Sequence, residues 1–390
     1  MNLLFLLIGA ILLFAFSMVY IFDYVLIYGA RKDADRYVDT LQGAVENFDS
    51  FPGVSIIIPT YNEAGVIRRK IEDLSKLNYP CGNMEVIVVD DASSDQTDKI
   101  AETALSKTRL NGKILRNLER VGLNASLNRA IEAASNDLIC ITDSDVTLEK
   151  NSLRKVIAVL ERMNDVGGVT GNIVPSFAHH NTVAGMEEDY RRFSNRSMLV
   201  ESYRHSAFPG SGVLLVFKRS KLSNLIPVEY GSTDANLAMS IIKGGGRFIY
   251  VPFADVYERM PDKLEQHRLQ KVRRAKRLIQ VVNHNIDVLF DRKYGDFGKV
   301  VFPLKFFMLE LCPLLLLVGA FSLFAHVLLS QNFFVYGLST IVLISAGVAV
   351  KSSKRFSDLF FGFIIHQLYC VVGLFSSFRK GTFWKKIDRK

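Results

Sequence analysis

Three short polar clusters, each directly after an apolar run, hold the residue types best suited to chemistry. They are Pro59-Thr60-Tyr61-Asn62-Glu63, Asp90-Asp91-Ala92-Ser93-Ser94-Asp95 and Asp143-Ser144-Asp145. Two carboxylates one residue apart at the end of an apolar run are not packing residues, because unpaired buried charge is very costly. As hard oxygen donors they suit Mg2+ or Mn2+, ions that share their coordination with a diphosphate. The competing role for any single acid is to cap a following helix. For Asp95 and Asp98 capping is at least as good a reading as ligand contact. Three such clusters aimed at one crevice favour the ligand.

The clusters need elements to position them. Residues 54–58 and 84–89 are continuous, β-branched apolar runs, the pattern of strands buried on both faces. Residues 65–77, 98–107 and 125–134 carry helical periodicity, and 114–115 and 138–142 read as further strands. Alternation of strand and helix at this spacing predicts a parallel sheet with crossover helices. Ligands of such sheets bind beyond the carboxyl ends of the strands, where the three clusters fall. Farther along, Gly210-Ser211-Gly212 precedes an apolar run at 213–217, and Ser232-Thr233-Asp234-Ala235-Asn236 opens an apolar helix at 237–242. A strand at 247–252 leads into a stretch from Arg259 to Arg277 with eight Lys or Arg residues.

SIIIPTYNE, VIVVDDASSDQT, RVGLNASLNRA and ITDSD, in this order and spacing, resemble the family 2 glycosyltransferases of GT-A fold. The likeness spans about residues 54–277 and is specific as a set, although each motif alone is common. It implies an α/β, Rossmann-like, mostly parallel sheet with flanking helices, and a nucleotide-diphospho-sugar donor. By the resemblance Pro59, Thr60, Tyr61 and Glu63 with Asp90 and Asp91 meet the base and ribose. Asn128 joins the donor contacts, and Asp143, Ser144 and Asp145 meet the ribose and diphosphate, with Asp145 as ligand to Mg2+ or Mn2+. Gly210, Ser211, Gly212 and Thr233 fall near the sugar and acceptor, the plain alternative being a glycine turn. Asp234 takes the place of the central aspartate of the family's TEDxDL motif, the general base, with Thr233 and Asn236 replacing the flanking acids; helix capping is the alternative. Gln270, Arg273 and Arg274 line up with QxxRW, Arg274 standing where the tryptophan belongs. A guanidinium suits phosphate oxygens. The missing tryptophan counts against a processive polysaccharide synthase.

Composition places this domain against a membrane. The chain has 390 residues, 49% hydrophobic, with a mean hydropathy of +0.18, and the apolar excess collects at its two ends. Residues 3–28 exceed the roughly 20 needed to cross a bilayer, and 306–329 and 333–350 are two more such runs. A fourth, 359–378, carries His366 and Gln367 at its centre. Arg31, Lys32 and Arg36 follow the first run, which predicts an integral membrane protein with the central domain in the cytosol. The basic tail wants the same side, which a crossing fourth segment would not allow. The expected divisions are 1–30 anchor, 31–52 linker, 53–258 catalytic domain, 259–301 basic interfacial helices, 302–378 membrane region and 379–390 tail. The net charge of +9 clusters beside the apolar runs, where anionic lipid accounts for it without nucleic acid. Four scattered cysteines form neither a disulfide framework nor a zinc spacing. The expected reaction is inverting transfer of one sugar, from GDP-mannose or a UDP-hexose, to a hydroxyl of a membrane lipid or lipid-linked acceptor. A polymer synthase with a channel, a polyprenyl-phosphate glycosyltransferase and a non-catalytic nucleotide-binding scaffold are the alternatives.

Overall fold

The computed structural model describes residues 2–179, 181–209, 212–261, 263–330 and 354–378. Gly210, Ser211, the expected run at 333–350 and the basic tail lie outside the described residues. Eight strands form one sheet: β1 Val54–Thr60, β2 Met84–Asp90, β3 Asn111–Arg116, β4 Leu138–Thr142, β5 Val146–Leu148, β6 Val166–Ser176, β7 Leu214–Lys218 and β8 Arg247–Arg259. Their order is β3-β2-β1-β4-β7-β6-β8-β5. The first four run parallel, and β7 enters antiparallel to β4, so the sheet is mixed.

The β1 and β2 runs alternate between two cores, as a period of two demands. Ile56, Ile58, Val86 and Val88 face one, Ile57, Ile87 and Val89 the other. The first core is closed by α3 Ile67–Leu74, α4 Thr97–Ser106 and α6 Ser152–Arg162; the second by α5 Leu123–Ala133, α8 Thr233–Lys243 and α9 Leu264–His284. β6 was not expected, because Gly167, Gly168 and Gly171 weaken its strand signal. The glycines answer to close packing: a Cβ on Gly171 would lie 2.7 Å from the Ala254 carbonyl oxygen.

The stretch read as a linker is instead helix α2, Arg31–Val45, whose Ala34 and Leu41 are fully buried. Arg162 donates to the carbonyls of Glu46 (2.7 Å) and Asn47 (2.8 Å), fixing its end to α6. Ala34 and Leu41 are seven apart, one face of a helix in a segment otherwise too polar to announce it.

Among the described residues two helices are long and apolar enough to cross a membrane, α1 Asn2–Gly29 and α10 Phe297–Leu329. They pack on each other through glycines: a Cβ on Gly9 would lie 2.7 Å from Leu323, and one on Gly319 would lie 3.0 Å from Leu13. The rest of their surface is apolar and exposed, with Ile11 at 63% and Phe321 at 66%, unlike the core helices of a soluble domain. The 23-residue α7, Thr182–Arg204, and α11, Lys354–Ser377, complete the helical layer beside α1 and α10.

Candidate active site

Parallel pairing sets the carboxyl ends of β1 and β2 side by side, with Thr60 in register with Asp90. The Asp90 carboxylate is fully buried and bonded inside its own turn. It accepts from the Ser93 amide (3.0 Å), the Ser93 hydroxyl and Thr60 Oγ1 (3.2 Å). These bonds hold Ala92 at φ 59°, a left-handed conformation that costs a residue with a Cβ about 1–2 kcal/mol. Asp91 reaches the other way. It accepts from Val121 N (2.8 Å), Gly122 N (3.0 Å) and Asn117 Nδ2 (3.0 Å), and so shapes the loop that starts α5. Asp95 lies one residue before the N-cap Gln96 of α4; it accepts from the Thr97 amide at 3.2 Å and from Ala64 N at 3.1 Å. Burial pushes its carboxyl up, but the bonds from Thr97 and Ala64 bring it below the ordinary value. Asp98 instead pairs with Arg116.

Beside this loop the Arg120 guanidinium stacks 3.9 Å over the Tyr61 ring, with its Nε 3.9 Å from Asp91. Tyr61, Asp91 and Arg120 thus present a flat, partly charged surface of the kind a base lies against. Glu63 is buried, its backbone held by Thr97 Oγ1 at 2.9 Å. Asn128 has a different task from the donor contact expected of it. Its amide donates to Ile226 O (2.7 Å) and accepts from Ile226 N (2.9 Å), which uses both ends on the scaffold.

Asp143, Ser144 and Asp145 make the turn between β4 and β5. Under it lies Lys70, a residue the sequence reading passed over. It is 3% exposed, and its ammonium donates to Thr142 Oγ1 and Val146 O, each at 2.9 Å. The clip therefore closes on the residues immediately before and after the three. Burial pushes Lys70 down to about 8, resisted by Cys140 and by the charges of Asp143 and Asp145. A signal existed: Ile67, Lys70, Ile71 and Leu74 share one buried helix face, where a lysine is out of place.

Among the described residues no three His, Cys, Asp or Glu side chains gather around a common point. The protein alone does not cage a metal there. Two carboxylates on one tight turn nevertheless suit Mg2+ or Mn2+, which take one or two protein carboxylates and fill the rest with water and phosphate.

The second half of the sheet domain holds the remaining candidates. Asp234 lies in the first turn of α8, 7% exposed. Burial raises its carboxyl above the ordinary value, with Ser232 and the Arg274 charge offsetting part of the rise. Gly212 packs directly on it: a Cβ there would stand 3.1 Å from Asp234 Cβ and 2.4 Å from Leu215. Thr233 donates to Asn124 Oδ1 at 2.8 Å, tying α8 to α5. Arg277, also unforeseen, feels the Asp234 charge from α9. On the same helix Gln270 is buried with its Oε1 unpartnered, while Arg273 and Arg274 are half-buried.

A mixed sheet covered by helices on both faces, with carboxylates at its strand ends, is an α/β fold of GT-A type. The backbone superposes on a mannosyltransferase from Pyrobaculum calidifontis, solved with GDP-Man and Mn2+, with a TM-score of 0.70. That match covers 93% of this chain and 98% of the other at 23% identity, a likeness of fold. Residues 55–225 match the model of Glycosyl transferase family 2, and the chain carries a domain of that family. Among curated relatives, an N-acetylglucosaminyltransferase of Rhizobium meliloti is 26% identical over 238 residues, 58% of this chain and 55% of that protein. A beta-monoglucosyldiacylglycerol synthase of Trichormus variabilis is 34% identical over 123 residues, 31% of this chain and 26% of that protein. The chain thus spans about half or less of the length of these relatives.

Proposed function

We propose that the chain is an inverting, metal-dependent glycosyltransferase. It moves one sugar from a nucleotide-diphospho-sugar, GDP-mannose or a UDP-hexose, to a hydroxyl of a membrane lipid or lipid-linked acceptor. The observation that carries the reading is Asp234: a buried carboxylate in the first turn of α8, packed on Gly212. Its raised pKa brings it nearer the operating pH, as a general base requires.

In the reaction the bond from the anomeric carbon to the diphosphate oxygen breaks as the acceptor oxygen bonds the opposite face, so configuration inverts. The acceptor proton passes to the Asp234 carboxylate. Asp145, with Asp143, would hold a divalent cation, which supplies charge neutralisation for the departing nucleoside diphosphate. Lys70 keeps that turn in place, and Arg273 is on the helix from which a guanidinium fork reaches phosphate oxygens. Tyr61, Asp91 and Arg120 receive the base. The curated relatives act, by their names, on N-acetylglucosaminyl and glucosyl-lipid chemistry, which supports a sugar nucleotide donor and allows a lipid acceptor.

We place the catalytic domain in the cytosol, held to the membrane by α1 and α10. The basic residues that follow α1, Arg31, Lys32 and Arg36, support that orientation. The test is a panel of nucleotide sugars with Mg2+ or Mn2+ and total membrane lipid, scored by released nucleotide and by product mass. Release from one sugar nucleotide, with a single added sugar on lipid, is expected. A long product ladder sinks the one-sugar reading, and release that survives Asp234→Ala sinks the base.

A further inference from the structure

The turn that precedes Asp234 is held by a residue that also grips the far end of the chain. Tyr230, Gly231 and Ser232 lead directly into α8, and Gly231 takes φ 79°, which glycine adopts at no steric cost. A Cβ there would stand 2.5 Å from Asn236 Nδ2 and 2.6 Å from Val281 Cγ2, so the turn is packed tightly between α8 and α9. Asn236 closes it from within, donating from Nδ2 to Tyr230 O at 3.0 Å.

From outside, α9 supplies the hold. Gln280 is buried beside Ile279, Val281 and Val282, where an amide is costly unless both its ends are bonded. Both are. Its Oε1 accepts from the Gly231 amide at 3.2 Å, and its Nε2 donates to Ser377 O at 3.1 Å. Ser377 is the last residue of α11, where carbonyls have no donor within the helix. One turn beyond Gln280, the His284 ring stacks on Tyr230 with centres 3.5 Å apart and planes at 14°.

The end of α11 is itself fixed in register. A Cβ on Gly373 would lie 2.9 Å from Ala275 Cβ and 3.0 Å from Lys276 N, so the two helices touch closely there. From Gly373 to Ser377 is about one helical turn, as is from Lys276 to Gln280. The helices thus run side by side in one direction, and the glycine contact sets up the amide contact that follows it.

We infer that Gln280 is a positioning residue for Asp234: its amide ties the turn into α8 to the end of α11, so that docking of α11 on α9 fixes where the base stands. The inference rests on the reading of Asp234 as the base and adds a residue and a helix that act through it. A misplacement of about 1 Å is enough to cost on the order of 10²-fold in rate, which is the leverage of one amide here.

The test uses the full chain in nanodiscs and two readouts. The first is amide hydrogen exchange over residues 229–236. The second is transfer from GDP-mannose, UDP-glucose and UDP-N-acetylglucosamine with Mn2+ and total membrane lipid. Gln280→Leu is expected to speed exchange of the Gly231 amide at least about tenfold, one tenfold step being about 1.4 kcal/mol. Its kcat should fall about tenfold or more with KM for the sugar nucleotide unchanged. The acid limb of the rate should move down toward the ordinary aspartate position as water reaches the carboxylate. Gly373→Ala, which touches neither the turn nor the base, should give the same changes in smaller measure. Glu85→Gln, at the other end of the sheet, should leave the exchange of 229–236 and the acid limb as in the parent. Retained binding of GDP or UDP with Mn2+ shows that each variant is folded. Parental exchange in Gln280→Leu overturns the bridge, and parental exchange in Gly373→Ala overturns the part given to α11. Faster exchange with unchanged kcat and acid limb overturns the positioning role. If the parent consumes no sugar nucleotide while both variants speed exchange, the transferase reading fails and the bridge stands.

Discussion

The two walls of the crevice solve the same problem differently. On the donor side Asp90, Asp91 and Asp95 are met mainly by neutral amides and hydroxyls from loops nearby. On the other side Glu187 is met by Lys271 of α9 and by Arg191 one turn along its own helix, and Glu201 by Lys305 of α10 at 2.6 Å. Neutral donors hold a carboxylate rigidly without cancelling its charge, so a cation or base can still use it. Buried ion pairs cancel charge, and their strength shows only when one member is removed. The donor wall is built to keep negative potential available, the membrane wall to lock helices of different parts of the chain together.

The largest expected effect falls between the walls. Asp234→Asn keeps the shape and removes the base, and transfer should drop by about 10²–10⁴-fold, the usual worth of general base catalysis. The pH profile sharpens this. The raised Asp234 pKa means that the ionised, competent form is lost as pH falls through a value above that of an ordinary aspartate. The acid limb of the rate should therefore be shifted up from the ordinary aspartate position and be absent from the residual activity of Asp234→Asn.

Next comes the membrane wall. Glu187→Gln alone leaves Lys271 buried without its carboxylate partner, which should cost about 3–5 kcal/mol. Thermal unfolding in detergent would read it, and pairing the change with Lys271→Met should recover much of the loss. If the single variant melts like the parent, the contrast between the walls is wrong.

Lys70→Met probes the donor wall at the one place where it uses a buried cation. Thr142 Oγ1 and Val146 O lose their donor, at about 1–3 kcal/mol for an unsatisfied buried acceptor. Asp143 and Asp145 lose a counter-charge at the same time. Mn2+ should therefore stabilise Lys70→Met against heat more than it stabilises the parent. An equal shift in both would mean that Lys70 serves packing alone.

The contrast also explains what could be read from sequence. The strands and polar clusters of the donor side were legible because each apolar run and the cluster that closes it are contiguous, although the partners of Asp91 lie 26 to 31 residues further on. Asp90 and Ser93 are three apart, and Asp95 and Thr97 two. The membrane wall was not, because Glu187, Lys271 and Lys305 come from three helices far apart in the chain. Read alone, each is a charge on a solvated face. α2 was missed because two buried residues in fifteen leave little periodic signal, and β6 because glycines demanded by close packing look like turns. The clip on the Asp143–Asp145 turn was the readable thing left unread, since Lys70 shares its face with Ile67, Ile71 and Leu74.

The smallest effect is expected at the far end of the sheet, where the neutral-donor rule can be tested away from chemistry. Glu85 accepts from Ser55 Oγ at 2.5 Å and from the Ser135 amide and hydroxyl at 2.8 Å each, and pairs with Lys113 at 2.8 Å. Burial pushes its carboxyl up, but the bonds from Lys113, Ser55 and Ser135 outweigh it and bring it down to about 2. A depressed carboxylate contributes stability that is fully present above its unfolded value, near 4.5, and is lost as pH falls toward 2. Glu85→Gln should remove that slope, so that parent and variant converge in stability at the acid end and differ most near neutrality. The difference at neutral pH should be about 1–2 kcal/mol, because the partly exposed Lys113 can turn to water while the serines still find an amide oxygen. Nucleotide affinity should not change, since Glu85 stands at the opposite end of β2 from Asp90. A change in nucleotide affinity without a change in acid sensitivity would show that the donor wall's carboxylates are coupled along the strand, not held locally.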